Sequence, residues 1–323
     1  MVGMDSQVVN DAVTLDRERP YLIGLAYRML GSRSDAEDIV QEALLRAVHH
    51  QDELRTPRAF LTTVVTRLCL DELGSARRRR ESYVGPYLPE PVLTDGLDAG
   101  SDPSEYRENV SVALLLVLDK LSAPERAVFV LRDVFDLDYS TIAEALERSE
   151  ASCRKLLQRA REQLLDAHLQ QPAAPNEQQA VSHAFFQALA TGDLQSLITL
   201  LAEDASMSTD HGGKVSAARR VLYGAEHVAK FLHGLWGKRD SFPVELQLLR
   251  CFVNGAPAVV IRAGAEIFST VALRIEASSG GARISAVSIV RNPDKLVRVG
   301  SALANAETLA VDPRVARAPR VID

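Results

Sequence analysis

Apolar positions across residues 17–80 recur at intervals of three and four, and that spacing predicts helices. Tyr21, Leu22, Leu25, Met29 and Leu30 form a first stripe, with Pro20 suited to a helix start and Gly31 to the residue just past its end. Ile39, Val40, Ala43, Leu44, Ala47 and Val48 form a second, behind Ser34-Asp35-Ala36-Glu37, which reads as a capping box. Phe60, Leu61, Val64, Val65, Leu68 and Leu73 form a third, opened by Thr56-Pro57. The β-branched stretch from Thr62 to Thr66 is a poor helix former, but the helical spacing of the large apolar residues outweighs it. Helical periodicity resumes at Val112–Leu121 and Pro124–Val134, then in two closely spaced helices: Tyr139–Leu146, and one capped by Ser149 that runs to about Leu165. A turn this short, Glu147-Arg148, before a helix bearing Arg154, Lys155, Gln158, Arg159 and Arg161 predicts a helix-turn-helix.

Beyond the break at residues 170–175 the pattern changes. Asn176–Ala190, Asp193–Leu201 and Ala225–Trp236 are helical by pattern. Val244–Val253, Ala258–Arg262, Glu266–Ile275 and Ile284–Val290 read as strands, separated by turn signals at Asn254-Gly255 and Ser279-Gly280-Gly281. The expected fold is multidomain: two all-α modules, then an α+β cone whose curved antiparallel sheet leaves a pocket at its open end. The expected boundaries are residues 1–80, a linker at 81–108, 109–170, 176–296, and a mobile tail at 297–323.

Net charge is −6, which sits poorly with binding to phosphates until it is located. Glu81, Glu90, Asp95, Asp98, Asp102, Glu105 and Glu108, against the lone base Arg107, place the whole of it in the linker. The remainder is neutral overall and free to form basic patches. No apolar run is long enough to span a bilayer and the first residues lack an apolar signal core, so a cytoplasmic, non-membrane protein is expected. Cys69, Cys153 and Cys251 lie too far apart for a zinc or disulfide framework; no metal or cofactor is expected.

Asp35-Ala36-Glu37-Asp38-Ile39-Val40-Gln41-Glu42 resembles the polymerase-clamp-binding helix of extracytoplasmic-function sigma factors of the sigma-70 family. Leu121-Ser122-Ala123-Pro124-Glu125-Arg126-Ala127-Val128-Phe129 resembles the opening of their fourth conserved region, and Tyr139 through Arg161 its helix-turn-helix. The resemblance covers residues 17–170. It implies a subunit that directs bacterial RNA polymerase to promoters and performs no chemistry itself. Its partners would be the core enzyme, through the largest-subunit clamp and the beta-subunit flap, and promoter DNA. Asp35, Glu37, Asp38, Gln41 and Glu42 would bind polymerase. Arg67, Asp71, Arg77, Arg78, Arg79 and Arg80 would serve the −10 element, and Ser152, Arg154, Lys155, Gln158 and Arg159 the −35 element. Glu147 and Thr141 depart from the Gly and Glu that are frequent at these positions.

The C-terminal segment resembles the SnoaL-like domain of the nuclear-transport-factor-two-like superfamily. Tyr87-Leu88-Pro89-Glu90-Pro91, Asp210-His211-Gly212-Gly213-Lys214 and Asn292-Pro293-Asp294-Lys295-Leu296 resemble motifs of a sigma-factor subgroup that carries this fusion, with His211 as a departure. The resemblance implies regulation in cis and admits a small-molecule ligand in the pocket. Asp210, His211, His183 and His227 are candidates for acid–base work, yet they form no catalytic motif. A stand-alone helix-turn-helix regulator, or a ligand-processing enzyme with a DNA-binding arm, is the alternative.

Overall fold

The computed structural model describes residues 15–48, 56–81, 83–94, 111–166, 171–238, 244 and 246–305. They form two compact units, Met1–Ser82 with Ser101–Leu169, and Tyr83–Gly100 with Gln170–Asp323.

In the helical unit, α1 (Arg19–Leu30) is buried from Tyr21 to Leu30, because its residues are apolar on almost every side. Gly31 ends it at φ 70°, with its N–H bonded to the Tyr27 carbonyl. The cap of α2 (Arg33–Val48) differs from the expected box: Ser32 Oγ accepts from the Asp35 amide at 3.2 Å. Ser34 lies inside the first turn, and Glu37 pairs instead with Arg33 at 2.9 Å. With α3 (Pro57–Glu81), these helices enclose Leu22, Leu25, Met29, Ala36, Val40, Leu61, Val65 and Cys69. Burial pushes the Cys69 thiol far above its ordinary range.

The second half of the unit begins with α4 (Val112–Leu118), capped by Ser111, and α5 (Ala123–Phe129), where the Ser122 amide donates to Glu125 at 3.1 Å. One π-helical turn, Val130–Val134, continues α5. Asp138 caps α6 (Tyr139–Leu146) through the Thr141 amide at 2.7 Å, and Ser149 caps α7 (Glu150–Asp166) through the Ser152 amide. Between α6 and α7, Glu147 takes φ 53°, the left-handed geometry that the short turn requires.

The two halves pack together. Arg126, buried to 4% exposure, donates to the carbonyls of Leu118 and Met29, each at 2.7 Å, and to Asp119. Phe135 packs edge-on to Tyr21 at 5.1 Å, under the guanidinium of Arg28.

The second unit is an α+β cone. Its seven-stranded sheet has the order β1-β4-β5-β6-β7-β2-β3, with β1 Leu93–Thr94, β2 Leu201–Asp210, β3 Leu222–Tyr223, β4 Leu246–Val253, β5 Ala256–Ala263, β6 Glu266–Glu276 and β7 Arg283–Val290. The helices α8 (Pro175–Thr191), α9 (Leu194–Leu200) and α10 (Ala225–Trp236) cover one face. Phe185, Phe186, Leu197, Val228 and Leu232 meet the inward-facing Val259, Ile261, Val271, Leu273, Val287 and Ile289 there.

The β4–β7 meander is antiparallel as expected, with Asn254 and Gly255 both at positive φ in its first turn. β2 pairs in parallel with β7, so the sheet is mixed rather than purely antiparallel. The tail also differs from expectation. Residues 293–305 form α11 (Pro293–Asn305), which buries Leu296 and Val299 against β6. Residues 306–323 lie outside the described residues.

A left-handed conformation costs a residue with a Cβ roughly 1–2 kcal/mol, part of which glycine gives back through its greater unfolded-state freedom. Glu147→Gly is therefore expected to stabilise the helical unit by about 0.5–1 kcal/mol. Chemical denaturation monitored by circular dichroism checks this; a destabilised variant would mean that the Glu147–Arg67 ion pair at 3.3 Å matters more than the turn.

Candidate functional site

α2 turns Ala36, Val40, Ala43, Leu44 and Ala47 inward. Asp38, Gln41 and Glu42 are exposed, whereas Asp35 and Glu37 are partly covered. The same outward strip carries two apolar residues, Leu45 at 54% and Val48 at 44% exposure. Val48 belongs to the buried stripe in the sequence pattern; the structure places it outside. Leu45, beside the buried Leu44, carries no signal in the sequence that marks it as exposed. An acidic strip that ends in exposed apolar side chains is chemically suited to docking a protein partner.

On α3, Arg67 does not stand free. Its guanidinium donates to the carbonyls of Glu144 at 3.0 Å and Ala145 at 3.3 Å, at the C-terminal end of α6. Helix C-termini carry unpaired carbonyls and a partial negative charge, so an arginine is well placed there. Asp71 is exposed on the same helix. Arg77, Arg78, Arg79 and Arg80 lie on the last turns of α3, and their side chains are outside the described residues.

α7 buries Cys153, Leu157 and Ala160, and exposes Arg154, Lys155, Gln158 and Arg159; Ser152 is half-buried. Arg154 pairs with Glu150 at 2.6 Å and lies over the Tyr139 ring, and Gln158 donates to Glu162. Lys155 and Arg159 make no hydrogen bond or ion pair among the described residues, so their donors are open to phosphate or base edges. Arg161 holds Asp133 through two bonds of 2.9 and 2.7 Å, which ties α7 to the π-helical turn.

The C-terminal motifs come together around a single carboxylate. Asp210, at the end of β2, is fully buried. Its Oδ1 accepts from the Tyr83 hydroxyl at 2.5 Å; its Oδ2 accepts from the Leu88 amide at 2.9 Å and from Lys295 Nζ at 2.7 Å. Lys295 also donates to the Leu88 carbonyl at 2.5 Å and sits 3.5 Å from the Tyr87 ring centroid. Asn292 donates to the Tyr83 hydroxyl at 2.8 Å, while its own backbone amide and that of Arg291 donate to the Asp210 carbonyl. Burial, then the bond to Asp210, pushes the Tyr83 phenol well above the usual tyrosine range. Arg298 lies 3.5 Å from the buried Glu90 carboxylate, and Lys214 pairs with Asp294. Residues 83–94 are thus built into the C-terminal unit, although in sequence they lie between the two helical halves. The acidic residues Asp95, Asp98, Asp102, Glu105 and Glu108 lie outside the described residues.

The glycines of this loop are required by contact as well as by φ. A Cβ on Gly212, at φ 58°, would come within 2.5 Å of Asn292 Nδ2, and one on Gly213 within 3.2 Å of Val84. The unexpected His211 is buried; its Nδ1 accepts from the Gly213 amide at 3.1 Å, and Nε2 has no hydrogen-bond partner among the described residues. Its ring occupies the space that Gly85 leaves, since a Cβ there would stand 2.5 Å from Nε2.

The remaining acid–base candidates go elsewhere. His227 Nδ1 lies 3.1 Å from the Tyr223 carbonyl, and His183 Nδ1 lies 2.9 Å from Arg250 Nη1. That last pair borders a cavity of about 600 Å3 between α8 and the β4–β5 hairpin. Cys251 also lines it, with its thiol pushed up to about 12 by burial. Among the described residues no cluster of His, Cys, Asp and Glu is suited to hold a metal ion, and no helix is long and apolar enough to cross a membrane.

The Sigma-70 region 2 family matches residues 14–79, and the Sigma-70, region 4 family matches residues 111–164. ECF RNA polymerase sigma factor SigJ of Mycobacterium tuberculosis is 42% identical over 225 residues, covering 67% of this chain and 70% of SigJ. Probable ECF RNA polymerase sigma factor SigI of the same species is 31% identical over 287 residues, covering 86% of this chain and 92% of SigI. The crystal structure of M. tuberculosis SigJ matches 87% of this chain and 96% of its own, at 34% identity and a TM-score of 0.67.

Removing one member of a buried, hydrogen-bonded ion pair strands the others, at a cost of about 3–5 kcal/mol. Asp210→Ala is expected to destabilise the C-terminal unit by that amount and to open the peptide bonds around Tyr83 to limited proteolysis. Unchanged protease resistance there would show that Asp210 does not hold the segment. Tyr83→Phe, which keeps the ring, is expected to have the milder effect, about 1–2 kcal/mol.

Proposed function

The chain belongs to the ECF RNA polymerase sigma factors and serves transcription initiation, and from that premise we propose that its C-terminal α+β unit governs this activity in cis by holding the segment between the two helical halves. The observation that carries the reading is the clasp of Tyr83 and Leu88 by Asp210 and Lys295.

In this reading the outward strip of α2, with Asp35, Glu37, Asp38, Gln41 and Glu42, docks on the clamp of the largest polymerase subunit, with Leu45 and Val48 as apolar anchors. The second half meets the beta-subunit flap. Arg67, Asp71 and the run Arg77 to Arg80 serve the −10 element; Ser152, Arg154, Lys155, Gln158 and Arg159 serve the −35 element. The protein works where the polymerase is, in the cytoplasm, and the C-terminal unit regulates rather than catalyses.

The packing of the helical unit supports a held state. Elements centred at −10 and −35 lie about 25 base pairs apart, roughly 85 Å along B-form DNA at 3.4 Å per base pair. With Arg67 bonded to the end of α6, the −10 reader and the helix-turn-helix touch, and they cannot occupy both elements at once. Promoter binding therefore requires the halves to part, and the segment between them is the one the C-terminal unit holds. Clasping residues 83–94 leaves residues 95–110 as the remaining connection.

Run-off transcription with core polymerase tests the reading. Asp210→Asn and Lys295→Met in the full-length protein are expected to raise transcript several-fold over wild type. Equal or lower output from both variants, with the fold retained by circular dichroism, overturns regulation through the clasp. Leu45→Asp is expected to weaken binding to core polymerase about tenfold, the loss typical of an interface anchor. Undiminished affinity would move the docking surface off α2.

A further inference from the structure

We infer that Tyr139 and Glu150 are positioning residues for promoter reading: together they aim the Arg154 guanidinium as a fixed fork at one guanine of the −35 element. The inference rests on the −35 assignment proposed above for α7 and deepens it, because it says which side chain selects a base and what makes it selective.

In the sequence, Arg154, Lys155 and Arg159 are three equivalent long cations on one helix. The structure separates them. Lys155 and Arg159 are exposed and make no hydrogen bond or ion pair among the described residues. A cation held by nothing suits a phosphate, which fixes register and carries no sequence information. Arg154 is held twice. Its Nη2 donates to Glu150, one turn back, at 2.6 Å, and its Cζ lies 4.7 Å from the centroid of the Tyr139 ring. The two contacts come from different helices, Glu150 from α7 and Tyr139 from α6. They therefore fix the guanidinium relative to the whole helix-turn-helix. Tyr139 is anchored in turn. It opens α6 beside the Asp138 cap, and Arg132, whose Nη1 donates to the Leu137 carbonyl at 2.8 Å, lies 5.4 Å from the same ring.

Arg154 sits on the second turn of α7, and the N-terminal turns of a recognition helix are the ones that meet base edges. A guanidinium matches O6 and N7 of guanine through paired N–H bonds. Glu150 takes only one of the several N–H groups, so an edge remains for the base. A side chain ordered before DNA arrives loses less rotamer freedom on binding. A base that cannot accept both bonds leaves the fixed fork unpaired, which is the source of discrimination. Stability does not account for the arrangement. The Arg154 and Glu150 side chains are 55% and 45% exposed, and an ion pair so open to solvent adds little to the fold. Glu150 also brings a negative charge towards phosphates, a cost in affinity that the aiming of Arg154 offsets.

The test reconstitutes the full-length protein with core polymerase, selects bound promoters from a library randomised across the −35 element, and sequences them. Wild type is expected to enrich guanine about tenfold or more at one position, the discrimination of a good paired contact. Arg154→Ala is expected to abolish that enrichment and leave the other positions unchanged. Glu150→Gln and Tyr139→Leu are expected to reduce it several-fold at the same position, with helix content unchanged by circular dichroism. Glu150→Gln, which removes a negative charge, should at the same time raise total DNA binding at low salt. More binding with less discrimination is a split that a merely structural role does not produce. Guanine enrichment retained in full by Tyr139→Leu or by Glu150→Gln overturns the positioning role and leaves the −35 reading of α7 standing. Loss spread evenly over all sequences in Arg154→Ala makes Arg154 a phosphate contact and overturns the inference. Wild type without base preference at any position overturns the −35 reading itself.

Discussion

A carboxylate sealed from water has to find its donors inside the protein, and Asp210 finds them in two separate stretches of chain. Tyr83 and Leu88 come from the segment between the helical halves, Lys295 from the first turns of α11, and the backbone of Arg291 and Asn292 closes on the Asp210 carbonyl. The first of these stretches lies about two hundred residues from the second, in which Arg291, Asn292 and Lys295 adjoin each other. Each satisfies a polar group that would otherwise be stranded, so the arrangement is favoured as a set and loses much of its value when one member leaves. Gly212 and Gly213 are the steric counterpart. They keep the loop low enough for Tyr83 and Val84 to lie on it.

The helical unit solves a similar problem with arginines exchanged between its halves. Arg126 reaches from the second half to the Met29 carbonyl at the end of α1; Arg67 reaches from the first half to the last carbonyls of α6. Both act on helix ends, where unpaired carbonyls leave partial negative charge. They differ in depth. Arg126 is sealed and bonded in three directions, whereas Arg67 is about half exposed. The Arg67 contact is the weaker of the two, because solvent competes for its partners.

Much of this was legible in the chain. The helices of the first 170 residues declare themselves by apolar spacing and by caps such as Asp138 and Ser149, which act within a few residues of their targets. The β4–β7 meander is likewise local, announced by Asn254-Gly255. What escaped is non-local. β2 carries Glu203, Asp204 and three serines or threonines, and only its pairing with β7 across about eighty residues makes it a strand. Residues 297–305 have the composition of a tail, and α11 exists because Leu296 and Val299 find β6. The exposure of Leu45 and Val48 depends on how three helices close, which the periodicity of one helix does not determine. The three C-terminal motifs could be seen singly, but the carboxylate that unites them was visible only once the chain was folded.

Because the clasped segment and Asp210 belong to one polypeptide, their encounter is intramolecular. Its strength is governed by an effective concentration, on the order of millimolar for short flexible tethers, rather than by how many copies the cell makes. Such a clasp cannot be diluted away. Its set point is fixed by geometry, and whatever releases it must act on each molecule individually.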